Sequence, residues 1–182
     1  MQRVKIKLSN ILILYNNMLQ SLFNSQILTL GLVVAVLFTM FMILFKSFKI
    51  STIALLPNLL SIGSVLGLMG VFSIPLDMMT ITIAAISMGI AVDNTIHYIF
   101  RHRAEYLKDN SYKKAMINTH TSIGYALYYT TLTIIAGFSI LIFSNFIHSI
   151  YFGLLTSLAM FIALSATLTI VPRLLSLLKA YG

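Results

Sequence analysis

Acidic side chains are nearly absent from this chain. Its 182 residues include four Asp and Glu against twelve Lys and Arg, a formal net charge of +8. Charged residues together make up 9% of the sequence, where a soluble domain averages roughly 25%. That shortage excludes a water-soluble globule of this size, because too little polar surface is available to cover it. Cysteine is also absent, which excludes a disulfide framework and a thiolate metal site. The positive charge does not point to nucleic acid. The basic residues sit in short clusters between apolar runs, a pattern of membrane loops rather than one basic face on a soluble fold.

What the chain has instead is apolar length. Hydrophobic residues make up 59% of it and the mean hydropathy is +0.96, so the reading is an all-α integral membrane protein. About 20 mostly apolar residues cross about 30 Å of hydrocarbon. Five segments qualify, near 26–45, 50–72, 77–100, 122–143 and 149–171, with the last continuing as helix toward 179. Runs this continuous do not fit the alternating strands of a membrane barrel. Pro57 lies inside the second span and predicts a kink there. Pro75, in FSIPLD, marks a tight link to the third span. Between spans three and four, Ser111 is placed to cap a short interfacial helix beginning YKKAMIN.

Lys and Arg set the orientation. Lys46 and Lys49 follow the first span, Arg101, Arg103, Lys108, Lys113 and Lys114 follow the third, and Arg173 and Lys179 follow the fifth. The two opposite links, FSIPLD and SNFIHS, carry neither residue. The positive-inside rule makes the basic links and the C-terminus cytoplasmic and the N-terminus external. Arg3, Lys5 and Lys7 then lie outside, which is awkward for a free N-terminus and eases if more protein precedes residues 1–25. The N-terminus lacks the layout of a cleaved signal peptide.

The informative stretch is ITIAAISMGIAVDNTIHYIFRHR, residues 81–103. Asp93 lies inside an apolar run, about 6 Å from the middle of its span toward the basic side. A charged aspartate near a bilayer centre costs about 2.5–3.5 kcal/mol on insertion scales. It is therefore expected to face a bundle interior or a water-filled cavity, where loss of water favours the neutral acid. A carboxyl that can change charge at that depth suits a proton-coupled machine. Gly89, one turn before it, allows another helix to approach. His97, one turn after it, is placed to relay a proton. Asn94 points about 100° away around the helix and can only hydrogen-bond. Tyr129, Thr130, Thr131 and Thr133 supply hydroxyls from the fourth span as candidate partners. The plainer alternatives are a polar staple at Asp93, a boundary residue at His97, and helix–helix glue for the hydroxyls. His102, His120 and His148 fall at or beyond the membrane edges and are expected in solvent. Neither an HxxxH pattern nor a carboxylate cluster suggests a metal, and no cofactor is expected. An intramembrane aspartyl protease needs two facing aspartates, and Asp77 lies at the outer boundary, so the chain is not read as an enzyme.

GIAVDNTIHYIFRHRAEY (89–106), with IPLDMMTITIAAISM (74–88) before it and TTLTIIAGFSILIFSNF (130–146) after it, resembles the charged-helix pattern of the resistance-nodulation-division (RND) superfamily. The likeness is closest to its MMPL branch and predicted-exporter relatives, which share the sterol-sensing-domain membrane fold. It covers residues 26 to about 175. That family has two similar halves, each with one span, a large periplasmic domain and five further spans. The resemblance implies that residues 26–179 form the last five spans of one half, most simply the C-terminal half, and that residues 1–25 are a periplasmic tail re-entering a bacterial inner membrane. It implies proton-driven export of lipids or hydrophobic compounds, with the relay aspartate at Asp93. Many members carry a second acid where this chain has Asn94, and the pairing lysine of the drug-efflux members has no counterpart in the fourth span. Implied partners are membrane lipids, a lipid or hydrophobic substrate, and the missing half or further copies. The alternative is a sterol- or lipid-sensing or scaffold module that does not transport.

Overall fold

The computed structural model describes the backbone of residues 2–72, 74 and 78–181. Pro75 and Asp77, with the link they were expected to form, lie outside the described residues, as do the side chains of Arg3, Lys5 and Lys7. The described chain is all-α, with no strand among the described residues. Its helices are α1 (Gln2–Phe45), α2 (Phe48–Val71), α3 (Met78–Asp109), α4 (Tyr112–Thr119), α5 (Tyr125–Ser139) and α6 (Ile147–Leu177). A π-helical turn, His120–Gly124, joins α4 to α5, and a 3-10 turn, Ile140–Phe143, extends α5. Among the described residues, five stretches are long and apolar enough to cross a membrane: Ile27–Phe45, Phe48–Val71, Thr82–Asp109, Tyr112–Phe143 and Ile147–Leu177.

The chain divides into two units, Met1–Thr39 and Met40–Gly182. The first is the greater part of α1, on which Ile27, Leu28, Leu32 and Val36 are exposed. The second is a bundle in which α6 packs against α2, α3 and α5. Val65, Met69, Ile83, Leu155 and Ala159 form a core cluster between α2, α3 and α6. Since lipid tails are as apolar as these side chains, burial alone does not hold such helices together; close packing and interhelical hydrogen bonds do. Ser61 donates to the Ala159 carbonyl at 2.9 Å, and the Thr95 and Thr167 hydroxyls lie 3.4 Å apart. Gly153 brings α6 against the end of α5. A Cβ there would lie 2.5 Å from the Phe138 carbonyl oxygen, too close for any other residue without a shift of backbone.

One local expectation, the capping bond of Ser111, needs correcting, and two others gain detail. α3 does not stop near residue 100 but runs to Asp109, supported by charge pairs at helical spacing, Arg101–Glu105 and Lys108–Glu105. It ends where Asn110 takes a left-handed conformation, φ 49°, and donates its N–H to the Tyr106 carbonyl at 2.8 Å. Ser111 does stand at the N-cap of α4, but its hydroxyl makes no capping bond. Its carbonyl accepts the Ala115 N–H instead, at 2.9 Å. At Pro57, α2 continues unbroken through the proline from Phe48 to Val71, and the Asn58 side chain donates to the Ala54 carbonyl at 2.9 Å.

Candidate functional site in α3

Asp93 and His97 are one helical turn apart, and the Nε2 of His97 lies 3.3 Å from Oδ1 of Asp93. The two groups thus form an acid–imidazole pair inside an apolar helix. Both face away from the bundle of this chain, with side chains 70% and 60% exposed. Gly89 is exposed on the same stripe, and a Cβ at that position would meet nothing within 4 Å. The interior that Asp93 is expected to face is therefore not formed by the bundle in which α3 packs.

The stripe continues toward the basic links. Arg101 is one turn past His97, and its guanidinium bonds Glu105, a further turn on, at 2.9 Å. Four residues advance a helix by about 400°, so each step rotates the row by about 40°. Exposure falls along the row as this geometry requires, from 70% at Asp93 and 60% at His97 to 41% at Arg101 and 4% at Glu105. The acid at the far end is fully furnished. Glu105 also accepts from Lys108 at 2.8 Å and from Asn118 of α4 at 3.3 Å.

Asn94 faces the other way. It is 3% exposed, and its side-chain N–H donates to the Thr131 hydroxyl of α5 at 3.3 Å. Of the hydroxyls considered as partners, Thr131 is buried and meets Asn94 rather than Asp93. Thr130 and Thr133 donate back to their own helix, to the carbonyls of Ala126 and Tyr129 at 2.8 and 2.9 Å, and Tyr129 is exposed.

Two histidines expected in solvent are not there. His102 is completely buried. After α6 the chain turns back through Lys179, φ 44°, with the Ala180 N–H on the Leu175 carbonyl at 3.1 Å. This turn lays the Tyr181 hydroxyl 3.2 Å from His102 Nδ1. Tyr181 also stacks on Tyr112, with ring centroids 5.8 Å apart, and burial pushes its hydroxyl above the usual tyrosine range. His120 is half-buried, with Nδ1 2.8 Å from the Met116 carbonyl and Nε2 3.0 Å from the Leu168 carbonyl of α6. The Tyr98 hydroxyl lies 3.2 Å from the same Nδ1. A signal for this cluster was present in the spacing: Tyr98, His102 and Tyr106 recur every fourth residue on a face about 100° round the helix from the Asp93 stripe, and such a row of rings is a packing face.

An all-helical chain with five membrane-length helices and an ionisable pair within one of them is a polytopic membrane protein. It belongs to the MMPL family, whose model matches residues 2–181. It is 31% identical over 156 residues to the hopanoid transporter HpnN of Rhodopseudomonas palustris, a match covering 84% of this chain and 18% of that protein. Against the hopanoid transporter HpnN of Burkholderia multivorans the identity is 31% over 107 residues, 59% of this chain and 12% of that one. A Methanocaldococcus jannaschii protein named only as a membrane protein is 30% identical over 125 residues, 69% of this chain and 32% of its own length. The chain thus spans about a third or less of the curated relatives it matches. No solved structure matches it at a significant level.

Proposed function

We infer that this chain is the proton-coupling membrane module of an RND-type exporter of lipids or other hydrophobic compounds, working with further protein that it does not itself contain. The observation that carries this reading is the outward stripe of Gly89, Asp93 and His97. An acid and an imidazole at membrane depth are costly in lipid, and such groups in membrane helices mark ion paths and proton relays. The open glycine one turn away admits a second helix against them. The missing half of the transporter, or another copy of the chain, covers this stripe and provides the interior in which Asp93 changes charge. Asp93 takes the proton, His97 passes it toward the basic side, and Asn94 ties α3 to α5 so that a movement of α3 is felt by the bundle. The hydroxyls of Thr130, Thr133 and Tyr129 lie on the outer side of α5 and serve the same covering partner. The names of the hopanoid transporters support a lipid as cargo. The positive-inside rule supports a cytoplasmic C-terminus and an external N-terminus, which in this reading lie on the two sides of a bacterial inner membrane.

The test is Asp93→Asn in the assembled transporter, with export of a labelled lipid measured under an imposed proton gradient. Export is expected to fall about a hundredfold or more, with membrane insertion unchanged. Gradient-driven export retained by that variant would remove Asp93 from the mechanism and favour a lipid-sensing or scaffold role for the module.

A further inference from the structure

A second site lies on a different helix and depends on none of the proton chemistry above. From Tyr112 to Phe143 the chain is one continuous helical rod, and its regular winding is interrupted at the π-helical turn His120–Gly124. Such widened turns occur often at functional sites. Here the turn coincides with a cleft of about 350 Å³ between the rod and α6, lined by His120, Thr121, Gly124, Tyr125, Tyr128 and Leu168. That volume is in the range of small-ligand pockets, roughly 300–1,000 Å³. The contact of His120 Nε2 with the Leu168 carbonyl, 3.0 Å across on α6, links the two walls. Gly124 is buried and without a side chain, which leaves the room: an added Cβ would already touch His120 Cβ at 3.6 Å.

The rod's outer stripe changes chemistry along its length in the order in which a lipid does. Lys113 and Lys114 are exposed at its start, and Lys114 shares its charge with Asp109 at 3.6 Å. Ile117 and Thr121 follow, then Tyr125 and Tyr128, 61% and 48% exposed, and then Leu132. Cations come first, a hydroxyl and tyrosine rings next, and aliphatic surface last. Tyrosine favours the headgroup level, with its ring in the apolar layer and its hydroxyl toward water.

We propose that this cleft binds one anionic phospholipid of the leaflet that meets the basic links. The phosphate sits near Lys113 and Lys114, and the upper acyl chain lies in the cleft against Tyr125, Tyr128 and Leu168. The occupant is an anionic lipid rather than an apolar partner helix because the stripe begins in cations and the recess is local to one widened turn.

The chain contains no tryptophan, so Tyr125→Trp gives a single reporter at the cleft. Phe143→Trp, at an 89% exposed position at the opposite end of the same rod, gives a control. The full chain is placed in phosphatidylcholine vesicles containing increasing fractions of brominated phosphatidylglycerol or brominated phosphatidylcholine, and quenching is compared. The cleft reporter is expected to favour phosphatidylglycerol about threefold or more, since each Lys near the surface strengthens anionic-lipid binding several-fold. The control reporter is expected to show a ratio near one. Lys113→Gln with Lys114→Gln lowers the cleft ratio to about one, and Gly124→Leu lowers it by filling the recess. Equal quenching by the two lipids at Tyr125→Trp overturns the site. So does the same preference at both reporters, which is bulk attraction to a cationic protein, and so does relief of quenching by soluble glycerol phosphate, which marks a free phosphate site. If Gly124→Leu does not fold, the lysine pair, which leaves the cleft unchanged, decides the matter.

Discussion

Asp93 and Asn94 are neighbours in sequence and nearly the same shape, yet they occupy opposite environments. Asp93 is 70% exposed on the outer stripe of α3, with His97 as its contact at 3.3 Å. Asn94 is 3% exposed and bonded to Thr131 of α5. One residue of helix turns a side chain by about 100°, and that turn separates a carboxyl on the outer face of the bundle from a neutral amide that joins two of its helices. Glu105 completes the contrast: a buried acid on the same helix is met by Arg101, Lys108 and Asn118. Where this fold buries a charge permanently, it surrounds it with donors. Asp93 is not buried by this bundle, and the contact it makes there is with His97 on its own helix.

Exchanging the two chemistries is the strongest way to break this comparison. Asn94→Asp places a carboxylate where the chain provides one hydroxyl, and should cost about 3 kcal/mol, read as a lower midpoint of reversible unfolding in mixed micelles by circular dichroism. A variant as stable as the parent would mean that the inner position tolerates charge and that the two faces do not differ. Thr131→Val removes the partner of Asn94 and should cost about 1 kcal/mol in the same assay; no change would show that the 3.3 Å contact contributes nothing to joining α3 and α5. Asp93→Asn should move the unfolding midpoint least, by no more than about 0.5 kcal/mol, because the contact of that carboxyl is with His97 on its own helix. A large loss there would make Asp93 a staple of the bundle.

The five membrane-length helices are legible because each is a long run with few charges, and length is what the bilayer selects. The direction each helix faces is not legible in the same way. α3 is apolar on the sides that meet α2 and α6, and lipid would accept the same residues, so hydropathy does not separate core from surface. That is why the fourth-span hydroxyls, expected beside Asp93, could be named from the sequence while the structure puts Thr131 on Asn94 and Thr130 and Thr133 on their own helix. The histidines were hidden for another reason. His102 looks solvated beside Arg101 and Arg103, but Tyr181, 79 residues later, returns to cover it; the Tyr98–His102–Tyr106 spacing marks a packing face but not the residue that covers it. The π-helical turn at His120–Gly124 is equally silent, since HTSIG reads as an ordinary helical entry. The extension of α3 to Asp109 was readable in the four-residue spacing of Arg101 and Glu105.

The account stands on the ability of Asp93 to take up and release a proton within the membrane. Infrared difference spectroscopy of the chain assembled with its transporter partners in lipid, recorded between acid and neutral pH, addresses this directly. The account predicts a carbonyl band of a protonated carboxyl that comes and goes with pH, is missing in Asp93→Asn and is kept in Asn94→Ala. A spectrum in which Asp93→Asn removes no band would contradict it.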